Sequence, residues 1–338
     1  MRSGVSKGFE RGSPVIAGSG QGGTAVRPVA LFVVGVQRSG SSALTRVLSL
    51  CGATLPRRLM GADSGNALGR WEPRAALRLN DIILRRRGST WYDPSLRLQE
   101  MGAFDADEKA ACTAEIEAFF KTLPAAPLVV IKDLHITVLS EPWFEAARLA
   151  GFDVAAVITV RHPQEVIASL QAFTRTPPEL ASALWLKYNL LAERNTRGLP
   201  RVFVEYTNLL GDWRQEIKRI STVLGIELDS RNVDAVENFL TPDLRHQRQP
   251  GPVNEAFGTD WISAVYEALQ GAARGESLDE SALDRVFEAY RACERTCRLA
   301  SDEFRRRNNS VLVRLLRPSI WTAIELNAIF HRRRGTWA

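Results

Sequence analysis

A chain of 338 residues with 45% hydrophobic side chains is long enough for one large core and at most two domains. A formal charge of +6 suits an anionic ligand but is too mild to mark a nucleic-acid binder, and no stretch approaches the ~20 apolar residues of a membrane helix. The four cysteines, Cys51, Cys112, Cys293 and Cys297, form no CxxC and have no paired histidines, which argues against zinc and for plain thiols in a reducing cytoplasm.

Residues 1–28 read as a Gly/Ser-rich disordered tail with no apolar signal region, so the expectation is a soluble, cytoplasmic protein. From Val29 a seven-residue apolar run, apolar on both faces, predicts a buried parallel strand ending at Gly35. A loop and a helical pattern from Ser41 follow, with Gly52 as its stop. Further helices are predicted from about Pro73 to Arg86 and from Asp105 to Lys121, with loop between Pro56 and Arg70. Leu128–Ile131 is a second strand ending at Lys132–Asp133, and a helix runs from Pro142 to Ala150. Val154–Val160 is a third strand ending at Arg161, with helices from Pro163 and from Leu180 to Arg194. Arg201–Glu205 is a fourth strand ending near Tyr206, with helices at Leu209–Leu224 and Asn232–Phe239. Beyond Thr241 a Pro-, Gly- and Arg-rich loop leads into mostly helical chain.

Strand then helix, four times over, predicts an α/β fold: a P-loop-like three-layer arrangement of a central parallel sheet flanked by helices, with a helical C-terminal extension. The main domain is placed at residues 29–300 and a basic helical segment at 301–338. In such sheets ligands gather at the carboxyl ends of the strands, and here each strand ends on polar or charged residues.

The first of these ends is the most informative. Gly35 and Gly40 have the spacing of the phosphate loop G-x-x-x-x-G-K-[ST], but Ser41 stands where Lys is required. The glycines permit a tight turn of inward N–H groups, and the helix from Ser41 adds its positive end. Arg38, Ser39, Ser41 and Ser42 supply a cation and hydroxyl donors for a phosphate.

At this point the chain resembles the sulfotransferase family, whose sulfate donor is 3′-phosphoadenosine 5′-phosphosulfate (PAPS). Residues 37–42, GlnArgSerGlySerSer, are similar to the loop that holds the donor's 5′-phosphosulfate. Arg161 at a strand end and Ser169 eight residues on are similar to the family's 3′-phosphate motif. Ile131–Leu134 resembles a Lys-Asp-Pro segment whose Lys meets the transferring group, with Leu134 in place of Pro. Val204–Leu210 resembles a segment whose Tyr lies near the nucleotide, which implies that role for Tyr206. The resemblance spans roughly Val29 to Leu224. It implies PAPS as co-substrate without a metal, and a hydroxyl acceptor on a glycan or glycolipid.

Sulfuryl transfer needs fixed donors where charge grows, and a base for the acceptor hydroxyl. Arg38 and Lys132 are the candidate cations; Gly40 and the serines complete the loop. Glu72 is the leading base, with His135, His162, Asp63 and Asp133 as rivals. Arg245, with His246 and Arg248, could close over the 3′-phosphate. Residues 301–338 hold eight Arg against three acids, and apolar residues recur there at near-helical spacing. That pattern fits a helix packed on the domain, or a surface helix that meets anionic lipid or a partner. Two other functions fit parts of the pattern: a P-loop small-molecule kinase, which would want Lys at position 41, and a non-catalytic nucleotide-binding protein.

Overall fold

The computed structural model describes residues 27–63, 66–100, 102–229, 232–241, 251–293 and 322–330. The expected N-terminal tail and the loop carrying Arg245, His246 and Arg248 lie outside them, as do Cys297 and most of the 301–338 segment.

In chain order the elements are β1 (Val29–Gly35), α1 (Ser41–Leu50), α2 (Arg74–Arg86), α3 (Ala106–Phe120), β2 (Leu128–Lys132), α4 (Ser140–Leu149) and β3 (Asp153–Val160). Then come α5 (Pro163–Thr174), α6 (Pro178–Asn195), β4 (Arg201–Glu205), α7 (Tyr206–Gly211), α8 (Trp213–Leu224) and α9 (Val233–Phe239). After these follow α10 (Trp261–Ala273), α11 (Glu280–Ala292) and a final helix, α12, at 322–330. Short 3-10 turns occur at Arg97–Gln99 and Leu134–Thr137.

The four strands form one parallel sheet in the order β2-β1-β3-β4. Alternate residues of β1 face opposite layers. Ala30, Phe32 and Val34 join a core built with α3, α4, α6, α10 and α11, whereas Leu31 and Val33 pack with residues of α1 and α8. Burial on both faces is why these strands read as unbroken apolar runs. The result is a three-layer α/β fold. Ile262, Val265 and Leu269 of α10 and Leu283 and Phe287 of α11 belong to the first of these cores.

Local signals explain most boundaries. α3 begins with a capping box, Asp105 accepting from the Glu108 N–H at 2.8 Å while Glu108 accepts from the Asp105 N–H at 3.1 Å. α5 and α6 start on Pro163 and Pro178, where a missing N–H costs nothing. One expectation needs correction: the helix placed at Leu209–Leu224 is two helices. α7 ends at Gly211, and Asp212 leaves helical geometry to accept from the Gln215 N–H at 3.0 Å, starting α8. An Asp that can cap competes with helix continuation, and the preceding Gly resists it little.

Candidate active site

β1 lies between β2 and β3, and its connection runs to α1 on one face of the sheet while those of β2 and β3 run to α4 and α5 on the other. This is the switch point where parallel sheets open a crevice. The sheet register sets what surrounds it. Lys132 lies opposite Val33, Thr159 opposite Gly35, and Glu205 opposite Val160. Lys132, the loop Val36–Gly40, Arg161 and Tyr206 therefore emerge at one edge.

The loop is held tightly. Gly35 has φ 134°, and a Cβ there would come within 2.7 Å of Thr159 Oγ1. Gly40 has φ 90° and is covered by the Tyr206 ring, which a Cβ would overlap. Both glycines are thus required by close approach as well as by backbone conformation. Arg38 between them is left-handed at φ 70°, unusual for a side chain that size. Its carbonyl accepts from Arg161 Nη1 at 2.9 Å, which pins the turn.

The Ser39 hydroxyl departs from expectation. It is buried, donates to the Val36 carbonyl at 2.6 Å and lies 2.6 Å from Thr159 Oγ1. This hydroxyl shapes the loop from within and is turned away from a ligand. Ser41 and Ser42, both part-exposed, open α1 and stay at the surface of the loop.

On one side of the loop the two halves of the sequence meet. Arg38 Nε donates to Ser169 Oγ on α5 at 2.9 Å. Arg161 Nε donates to Glu165 Oε2 at 2.8 Å, and its guanidinium lies 4.8 Å from the centre of the Tyr206 ring. Arg70 joins them from the long loop before α2. Its guanidinium and that of Arg38 each lie 5.2 Å from the centre of the Phe173 ring. Asp63 accepts from Arg70 Nε at 2.5 Å. Burial, then Arg70, then Arg161 hold the Arg38 guanidinium below its usual range, against smaller opposing effects of Asp63 and Tyr206. An anion placed among these cations would relieve that repulsion.

On the other side is Lys132. Its Nζ donates to Glu72 Oε1 at 2.6 Å, to Ser42 Oγ at 3.3 Å and to the Arg70 carbonyl at 3.3 Å. All three ammonium hydrogens are thereby directed. Both members of the Lys132–Glu72 pair are buried. Glu72 follows Trp71, itself left-handed at φ 60°, and its carbonyl accepts from the Met60 N–H at 2.7 Å. That turn aims the carboxylate at Lys132 instead of at the first N–H groups of α2.

No protein-family model matches this chain, and no curated protein does. Among solved structures it is similar to the sulfotransferase domain of the olefin synthase of Synechococcus PCC 7002. The identity is 19%, over 78% of this chain and 94% of that one, with a TM-score of 0.35.

The rival bases are placed differently. Asp133 and His135 are both buried. Asp133 accepts from Asn80 Nδ2 at 3.0 Å and lies 2.6 Å from His135 Nδ1, while Trp143 Nε1 donates to Asn80 at 2.7 Å. Burial alone would lower the His135 imidazole, but Asp133, with Glu72 and Asp81, outweighs it and leaves it above its ordinary value. This network stitches α2 to the turn after β2, and it corrects the view of either residue as a base at the site. Asp63 is occupied by Arg70. His162 packs edge-on against Tyr266 at 5.1 Å. Arg245 lies outside the described residues.

Four residues of the site were not singled out from sequence: Arg70, Phe173, Glu165 and Thr159. Phe173 and Glu165 had a signal: Phe173 lies four residues from Ser169 along α5, and Glu165 four residues after Arg161. Arg70 had none, because the Phe173 ring that brings it beside Arg38 is remote in the chain. A cavity of about 440 Å³ lies elsewhere, lined by Leu98, Lys109, Arg194 and Phe287, and includes none of these residues.

Proposed function

We propose that this protein transfers a sulfuryl group from PAPS to an acceptor hydroxyl, that of a glycan or glycolipid. One observation carries the reading: Arg161 and Ser169, more than a hundred residues from the phosphate loop, both bond to Arg38 inside that loop. A donor charged at both the 3′ and 5′ positions of one ribose needs two anion cradles that share a wall, and Arg38 is such a wall. A nucleoside triphosphate needs one cradle, with a Lys at its end and Mg²⁺.

The donor set fits the group. Ser41, Ser42, Gly40 and the N-terminus of α1 would hold the 5′-phosphosulfate end. Arg161 and Ser169 would hold the 3′-phosphate, with Tyr206 beside the nucleotide and Arg245 as a further cation. PAPS, when bound, supplies the sulfuryl group and a bisphosphate leaving group. Arg38 and Lys132 would meet the charge that develops around sulfur; both are already fixed, so little reorganisation is needed. Glu72 would accept the proton of the attacking hydroxyl. Its bond to Lys132 couples the base to the cation that steadies the transferring group.

Thermal shift with 3′,5′-bisphosphoadenosine, set against ATP with Mg²⁺, tests the reading. Stabilisation by the bisphosphate is expected. Stabilisation by ATP–Mg²⁺ alone would favour the kinase and overturn the proposal.

A further inference from the structure

Helix α12 presents an apolar face that the active-site chemistry does not use. Leu326 is 60% exposed, Ile329 48% and Phe330 49%. Spacings of three and four residues put them on one side of the helix. These are three of the seven large apolar side chains that stand exposed among the described residues. Two more, Leu68 and Ile82, belong to the loop before α2 and to α2 itself. Those are the two elements on which α12 rests. Glu325 pairs with Arg74 and with Arg78 of α2, and Asn327 Nδ2 donates to the Ala62 carbonyl at 3.0 Å. The opposite side of α12 is therefore tied down by polar contacts, which leaves Leu326 and Ile329 facing outward.

Charge identifies the occupant. In the sequence Arg332, Arg333 and Arg334 come one residue, His331, after the end of the helix, and residues 301–338 carry eight Arg against three acids. An apolar helical face with an Arg-rich stretch next to it in the sequence is the composition of a segment lying in a lipid interface, where acyl chains take the apolar residues and anionic headgroups the cations. A second copy of the chain fits poorly, since pairing two such helices would bring two arginine clusters together. No described helix is long and apolar enough to cross a membrane. We propose that α12 docks the protein on an anionic membrane surface, with the 58–72 loop that carries Arg70 and Glu72 beside the lipid.

Co-sedimentation of the full chain with phosphatidylcholine vesicles, with and without phosphatidylglycerol, tests this. Binding is expected only with the anionic lipid and should weaken as salt is raised. Leu326→Asp/Ile329→Asp should bind roughly tenfold or more weakly. Because both side chains are exposed, its thermal midpoint should match the parent's, which separates lost docking from lost folding. Three results would each overturn the proposal: no binding to either vesicle, equal binding by the variant, or a dimer in light scattering that the variant abolishes without any vesicle binding.

Discussion

Replacing Lys132 by Met isolates the buried pair at the centre of the site. Glu72 is 2% exposed and Lys132 7%, so the substitution leaves a carboxylate with almost no access to water. Breaking a buried pair from one side costs about 3–5 kcal/mol. The Arg70 carbonyl and Ser42 hydroxyl also lose a donor, worth about 1 kcal/mol. At ~2–4 °C per kcal/mol for a domain of this order of size, the midpoint should fall by roughly 8–24 °C. Lys132→Met/Glu72→Leu removes the stranded charge and should return to within about 1 kcal/mol of the parent, since apolar replacements of buried pairs are often neutral. Equilibrium urea unfolding of parent, both singles and the double gives the coupling directly, and the lost Ser42 and Arg70 contacts cancel in the cycle. Sulfuryl transfer should stay lost in the double, by at least about 10²–10³ in kcat, because the cation and the proposed base are both gone. A single variant as stable as the parent, or a cycle with no coupling, would refute the buried-pair argument. A stable double with full turnover would refute the catalytic one.

The remaining predictions concern the residues around that pair. Glu72→Gln keeps a hydrogen-bond acceptor but no base, so kcat should fall by about 10²–10⁴ with donor affinity little changed; normal turnover across pH would remove Glu72 as base. Arg38→Lys loses the Nε contact to Ser169 and should weaken 3′,5′-bisphosphoadenosine binding by about 10- to 100-fold, read by calorimetry. Gly40→Ala places a methyl in the Tyr206 ring at φ 90°, so its unfolding midpoint should drop clearly; an unchanged midpoint would show that ring and loop separate easily. His135 is held above its ordinary 6.5, so its contribution is complete below that pH and fades as the pH rises through the folded value. The stability gap between the parent and His135→Gln should therefore narrow from pH 6 toward higher pH in urea unfolding, and a widening gap would contradict the Asp133–His135 assignment.

The strands and most helices were legible because their signals are local. Seven apolar residues from Val29, a capping Asp105 and prolines at 163 and 178 act within a turn or a strand. The break at Asp212 was missed because the helical pattern continues across it, and only the capping bond to Gln215 reveals the competition. The tight turn between β1 and α1, too, was readable, since glycine spacing and a following helix lie in one short stretch.

What each polar side chain does was a different matter. Sequence order alone determined an α/β chain with a glycine-bounded loop after its first strand and charged residues at every strand end. Only the tertiary structure decided that Ser39 turns inward, that Lys132 reaches Glu72 rather than solvent, that Asp133 and His135 serve the interior, and that Arg70 joins the cation cluster. The reason is range. A hydroxyl or charge takes the nearest acceptor in space, and for Lys132 and Arg38 that neighbour is 60 or 131 residues away in the chain.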